Sequence, residues 1–142
     1  MKHRIFASLA GTIALSLLAQ SSVLRGSEPW PAEKANGWYR DKPWLVGCNF
    51  SPSCAINQLE MWQPDTFDLK LNDRELGWAQ DLGFTSVRVF LHHLLWQQDS
   101  QGFLKRVDQF LEVADRRGIG VMFVLFDSVW DPHPQLGRQQ GA

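Results

Sequence analysis

The sequence is poor in cysteine and has no cluster of basic residues. It carries two Cys among 142 residues, and 14 Lys plus Arg stand against 15 Asp plus Glu, a formal net charge of −1. Without a basic patch the chain is not predicted to bind nucleic acid. No predicted strand is followed by Gly-x-Gly-x-x-Gly, so a dinucleotide site lacks its usual signature. No ligand spacing typical of a metal site is present either, and the sequence implies no cofactor and no metal.

Apolar runs long enough to cross a bilayer are also missing. An uncharged, mostly apolar run, 5–18, follows a short basic start and precedes the small and polar residues 19–22. This is the three-part pattern of a secretory signal peptide. We therefore predict a signal peptide over residues 1–21, a secreted or periplasmic protein, and no stable membrane insertion after cleavage; an uncleaved anchor is the alternative. Removing Lys2 and Arg4 leaves 12 basic and 15 acidic residues, a net charge of −3.

Tryptophan, by contrast, is abundant. The chain has seven Trp, is 44% hydrophobic and 20% charged, which is the balance of an ordinary globular protein. Aromatic surfaces often contact sugars, but Trp also fills protein cores, so composition leaves both roles open. Residues 22–40 are polar and are predicted to be an irregular linker or lead-in.

Beyond this lead-in, strands and helices alternate. Apolar, partly β-branched segments predict strands over 44–50, 85–91 and 121–126. The first helix is predicted to begin at Asn72, because Glu75 three residues later completes the pattern of a capping box. The second helix begins near Phe103. Gly83 and Gly118 stand where each helix should end in a left-handed residue, and the remaining stretches are predicted loops.

The order β, α, β, α, β predicts an α/β fold with a parallel sheet. The segment 121–126 is apolar without alternation, which is typical of a strand that helices bury on both faces. A doubly wound sheet and a (β/α)8 barrel both have this order. Three strands cannot close a barrel, which needs about 250 residues. We therefore expect residues 41–142 to be the N-terminal part, about three βα units, of a truncated (β/α)8 TIM barrel.

Functional side chains in such folds lie at the carboxyl ends of the strands. The candidates there are Asn49, Arg88, His92, His93, Trp96, Asp127 and Trp130. Arg88 interrupts an otherwise apolar strand, and a buried guanidinium is costly unless a carboxylate pairs with it. It either faces a site and orients an acidic group, or lies near the strand edge and forms a structural pair.

For each of the other candidates, the sequence leaves two alternative roles open. His92 and His93 would point to opposite sides of an extended segment, so we expect one to line the site and the other to pack or cap. Trp96 and Trp130 follow strands, where they either stack on sugar rings or cover the helix layer. Asp127 follows a buried strand and belongs either to the site or to the turn that comes next.

Cys48 and Cys54 flank the turn after the first strand. In an exported protein they could close a small disulfide loop, the only internal pairing that two cysteines allow. The alternative is a pair of buried thiols.

Two segments carry a resemblance to a known family. Residues 47–49, Gly-Cys-Asn, and 82–88, Leu-Gly-Phe-Thr-Ser-Val-Arg, resemble the opening of clan A glycoside hydrolases. These are cellulase-like and xylanase-like retaining enzymes on a (β/α)8 barrel. The resemblance covers roughly residues 38–134 and implies that Arg88 orients the nucleophilic carboxylate, while the other candidates contact a carbohydrate substrate. The segment 125–130 departs from the Asp-Leu-His-like end of the family's third strand.

Retaining glycoside hydrolysis needs two carboxylates about 5 Å apart. The family places its acid/base Glu after strand four and its nucleophile after strand seven, so the resemblance assigns no catalytic residue to this chain. The predicted function is that of a fragment of a secreted glycoside hydrolase acting on β-linked polysaccharide or oligosaccharide, inactive alone. The alternatives are a secreted, non-catalytic carbohydrate-binding protein and a metal hydrolase of the same barrel shape.

Overall fold

The computed structural model describes residues 28–127 and 131–140. Its elements in chain order are α1 Ala32–Arg40, β1 Gly47–Asn49, α2 Gln58–Trp62, α3 Leu69–Asp81, β2 Ser86–Phe90, α4 His93–Arg116 and β3 Gly120–Val124. The strands form one open parallel sheet in the order β1-β2-β3. The predicted α/β fold, with parallel strands alternating with helices, is confirmed. The predicted signal peptide and Trp130 lie outside the described residues.

One face of the sheet is covered and the other is open. Val87 and Val89 of β2 are buried in the core that α3 and α4 share. On the opposite face Met122 of β3 is 64% exposed. The prediction that the third strand is buried on both faces is therefore wrong. Right-handed crossovers between neighbouring strands in the order 1-2-3 place both helices on the same side, and the uniformly apolar sequence does not show which side that is.

Both glycines predicted to end the helices do so. Gly83 follows α3 with φ +85°, and Gly118 follows α4 with φ +65°. A left-handed backbone is open to glycine at little cost because it has no Cβ. Each glycine lets the chain turn directly from a helix into the next strand.

Helix α3 begins earlier than the sequence predicts. Its N-cap is Asp68, whose carboxylate accepts a hydrogen bond from the Leu71 backbone N–H over 2.9 Å. The predicted cap Asn72 is instead fully buried within the helix. Glu75 accepts hydrogen bonds from the backbone and hydroxyl of Ser53, so it holds the loop after β1 and does not complete a capping box.

Helix α4 begins at His93 and is interrupted at Asp99, whose φ of −156° and ψ of 81° are not helical. The Asp99 carboxylate accepts a hydrogen bond from Gly102 N–H over 2.9 Å, as an N-cap would. The helix predicted from about Phe103 therefore corresponds to the second segment of α4. The first segment, before Asp99, was predicted to be loop because its apolar residues show no clear helical periodicity.

The core centres on α2, a short helix that the sequence predicted to be loop. Trp62 is fully buried, and its ring meets Phe110 of α4 edge-on at 5.4 Å between centroids. The buried Arg106 donates from Nε to the Trp62 carbonyl over 2.7 Å. Ring packing and this hydrogen bond fix α2 against α4.

The predicted lead-in contains α1, so its backbone is not irregular throughout. No residue of α1 is buried, and Trp38 of α1 packs edge-to-face on Trp30, which precedes the helix, with ring centroids 6.4 Å apart. Within the described residues, no helix is long and apolar enough to cross a membrane.

Candidate functional site

A cleft of about 580 Å³ opens at the carboxyl edge of the sheet. It is lined by Phe50, Ser51, Ile56, Asn57, Gln58, Met61, Phe90, Asp127, Asp131 and Gln140. Phe50 directly follows β1, Phe90 ends β2 and Asp127 follows β3. The cleft therefore lies where sites of parallel α/β folds are expected, with apolar surfaces beside amide and carboxylate groups.

Helix α2 forms one wall of this cleft. Trp62, at its end, donates from Nε1 to the backbone carbonyl of Phe90 over 2.9 Å, which fixes the helix at the end of β2. Asn57 caps its start by accepting a hydrogen bond from Glu60 N–H over 3.1 Å, and the Glu60 carboxylate accepts one from Ile56 N–H over 2.8 Å. This local network fixes the first turn of α2, where Gln58 lines the cleft.

Residues 131–140 form a second wall. The Gln63 side chain donates to the Gly137 carbonyl over 3.0 Å and accepts from its N–H over 2.6 Å. Asn57 donates from Nδ2 to Gln139 Oε1 over 2.9 Å. These amide pairs fasten the segment to α2 and bring Asp131 to the cleft.

Within the described part of the chain, Asp127 is the one predicted site residue that lines the cleft. Asn49 and Arg88 lie beside each other on the open face of the sheet, since they are partners in the pairing of β1 with β2. Trp96 is 52% exposed on α4. The structure thus separates the predicted residues into a cleft, a sheet face and a helix surface.

Arg88 is exposed, so the expected burial of its guanidinium is wrong. The guanidinium lies over the ring of Phe90, 4.9 Å from its centroid. Arg88 lies on β2, the central strand, and not at the edge of the sheet. The ion pairs within the described residues do not include it. The side chain lies exposed on the same face of the sheet as Asn49 and Met122, its pairing partners on β1 and β3.

The two histidines do not point to opposite sides. Their rings stack with centroids 4.7 Å apart, because the chain turns into α4 at this point. His92 is the N-cap, and its Nδ1 accepts a hydrogen bond from Leu94 N–H over 3.2 Å. The expectation that one histidine caps is met by His92, which is buried, while His93 is exposed.

The environment of His92 favours its neutral form. Burial lowers the pKa of His92 below its ordinary value, and the adjacent His93 lowers it further. The carboxylates of Asp127 and Asp131 act in the opposite direction. A neutral imidazole whose Nδ1 accepts a hydrogen bond carries its proton on Nε2.

Both cysteines are free and exposed, so the disulfide that the sequence allows is not formed, and neither thiol is buried in the core. Partial burial raises the pKa of the Cys54 thiol, and the carboxylates of Asp68 and Glu75 add to that effect. A raised pKa keeps the thiol protonated near neutral pH, which disfavours nucleophilic chemistry.

Sequence reasoning missed the α2 side of the cleft, above all Asn57 and Gln58. A usable signal was present in residues 57–60, Asn-Gln-Leu-Glu, where a capping residue stands three positions before Glu. That pattern predicts a helix start inside the supposed loop and places Gln58 in its first turn.

The described residues include no group of three or more His, Cys, Asp or Glu side chains arranged to hold a metal ion. No protein-family model, no curated protein and no solved structure matches the chain.

Proposed function

We propose that this chain forms part of the substrate groove of a secreted, retaining glycoside hydrolase that acts on β-linked polysaccharide. The observation that carries the proposal is the cleft at the carboxyl edge of three parallel strands. Phe50, Met61 and Phe90 give it apolar surfaces, and Asn57 and Gln58 bring amides to the same space. A sugar ring has an apolar face and a rim of hydroxyl groups, so this combination of surfaces suits it.

The proposal for the fold is a (β/α)8 barrel. The open face of the sheet carries the exposed Asn49, Arg88 and Met122 in one row. In a closed barrel this row would point inward, toward the axis. Arg88 would then hold a carboxylate with its planar fork of donors, as the resemblance to clan A glycoside hydrolases implies.

The charge of the cleft favours a neutral sugar. Asp127 and Asp131 contribute carboxylates, and the described residues that line the cleft include no Lys or Arg. Like charges in a partly enclosed cleft repel, so a uronic acid would bind less well than its neutral counterpart. Cellulose-like, xylan-like and mannan-like chains fit this condition.

The chain is expected to bind saccharides without cleaving them. Retaining hydrolysis requires a nucleophile and an acid/base carboxylate about 5 Å apart, and the resemblance assigns neither to a residue of this chain. Hydrolysis therefore belongs to a complete barrel, and binding is the part of the function that these residues support.

Calorimetric titration tests the proposal. The chain is titrated with tetrasaccharides of β-1,4-linked glucose, xylose and mannose, and with an oligogalacturonide of equal length. Saturable binding of at least one neutral ligand, tighter than that of the oligogalacturonide, is expected. Asp127→Asn should reduce the discrimination against the acidic ligand. Failure of all three neutral ligands to bind, or a preference for the acidic one, would overturn the proposal.

A further inference from the structure

Gln58 carries a hydrogen-bond donor that the fold does not use. It is the first residue of α2, is 8% exposed, and forms part of the cleft wall. Its Nε2 is buried and has no hydrogen-bond partner among the described residues. Buried polar groups are normally paired, and an unmade buried hydrogen bond destabilises the fold.

The neighbouring amides behave differently. Asn57 gives its Nδ2 to Gln139, and Gln63 uses both ends of its amide on Gly137. Both tie α2 to the segment that forms the second wall of the cleft. Gln58 lies between them on the same short stretch and lines the cleft, and no contact among the described residues uses its donor.

We propose that the side-chain amide of Gln58 hydrogen-bonds a hydroxyl group of the saccharide in this cleft and is a specificity-determining residue there; this inference rests on the proposed saccharide binding. The terminal torsion of a Gln side chain is broad, so the amide can turn toward the cleft without movement of α2. A primary amide both donates and accepts, as a sugar hydroxyl does. A site built around such a pair discriminates strongly against a ligand that lacks the hydroxyl.

Two variants of Gln58 test this. Gln58→Met keeps the length of the side chain and removes its polar atoms, while Gln58→Glu keeps its shape and removes the donor when ionised. Each should weaken binding of the best of the three neutral β-1,4-linked tetrasaccharides by about tenfold to a hundredfold, the effect of one hydrogen bond. Gln58→Met should unfold at the same or a higher denaturant concentration than the parent chain, since it removes an unpaired buried donor.

Asn72 provides the matched control. It is another fully buried amide without hydrogen-bond partners in the described structure, but it belongs to α3 and does not line the cleft. Asn72→Leu should leave saccharide affinity unchanged. If Gln58→Met binds as tightly as the parent chain, or if Asn72→Leu loses as much affinity, the role of Gln58 is refuted while saccharide binding stands. If the parent chain binds none of the tetrasaccharides, both proposals fail.

Discussion

Trp62 donates a hydrogen bond from its indole Nε1 to the backbone carbonyl of Phe90 over 2.9 Å, and so joins the last residue of α2 to the last residue of β2. The same indole is fully buried and stacks on Phe67 with ring centroids 5.9 Å apart. The cleft depends on this contact, because α2 carries Gln58 and Met61 and β2 ends in Phe90.

Trp62→Phe should destabilise the fold by about 2 kcal/mol or more. The substitution leaves the Phe90 carbonyl without its donor and opens a space beside Phe110. Denaturant unfolding followed by far-UV circular dichroism measures the loss. Trp78→Phe is the control, since Trp78 is exposed on α3 and should change stability by no more than about 0.5 kcal/mol. Equal effects of the two substitutions would contradict the role given to Trp62.

Gly47 and Gly120 provide a matched pair across β2. Both pair with Ser86, Gly47 from β1 and Gly120 from β3. A Cβ at Gly47 would overlap the Ser86 backbone carbonyl, whereas one at Gly120 would meet only the Thr85 carbonyl, at 3.6 Å. Gly47→Ala must push β1 away from β2, and backbone displacement of this kind typically costs about 1–3 kcal/mol.

Thermal unfolding of the two alanine variants checks this difference. Gly120→Ala should melt close to the parent chain, and Gly47→Ala several degrees lower. A melting temperature of Gly47→Ala at or above that of Gly120→Ala would show that β1 does not approach β2 as closely as described.

The buried His92 makes stability depend on pH. Because burial and His93 lower its pKa in the folded state, the unfolded chain binds more protons near and below the ordinary pKa of 6.5. The contribution of neutral His92 is fully present above pH 6.5 and is lost as the pH falls through that value toward the folded pKa. The free energy of unfolding should therefore decline on acidification in this window.

His92→Asn separates titration from capping. Asn is a strong N-cap and does not titrate, so the variant should keep α4 intact and show a flatter pH profile. His92→Ala also loses the titration, but it should be about 1 kcal/mol less stable than His92→Asn at pH 8 because the Leu94 N–H loses its acceptor. Denaturant unfolding between pH 5 and pH 8 gives both quantities. An unchanged slope in His92→Asn would assign the pH dependence to other groups.

Much of the fold could be predicted because local signals and packing agree. Gly83 and Gly118 marked real helix ends, and the apolar segment around Val87 and Val89 was a strand. The exposure of Met122 could not be predicted, since an apolar strand does not reveal which of its faces the helices cover. The exposure of Arg88 could not be predicted for the same reason, because its row lies on the face that α3 and α4 leave open.

The candidate site was harder to predict than the fold. Asp127 follows a strand, so the general position of α/β sites identified it. Gln58 and Gln140 reach the cleft through contacts between residues distant in the sequence, such as Trp62 with Phe90 and Gln63 with Gly137. No periodic pattern encodes such contacts.

Arg88→Met should change the free energy of unfolding by about 1 kcal/mol or less. The side chain is exposed, and the substitution removes only its contact with the Phe90 ring. Arg106→Met is the control: Arg106 is buried and donates to the Trp62 carbonyl, so its loss should cost about 2–4 kcal/mol. Chemical denaturation of both variants measures the two changes in the free energy of unfolding. A loss for Arg88→Met as large as that for Arg106→Met would mean that Arg88 is buried and paired.

The central claim, that the cleft at the carboxyl edge of the sheet binds a neutral β-linked saccharide, is tested most directly by residue-resolved NMR. The ¹⁵N-labelled chain is titrated with the β-1,4-linked tetrasaccharides of glucose, xylose and mannose. The account predicts that the largest amide shifts occur at Asn57, Gln58, Phe90 and Asp127, which line the cleft. Shifts confined to the exposed aromatic residues of 30–44, or no shifts with any of the three sugars, would contradict it.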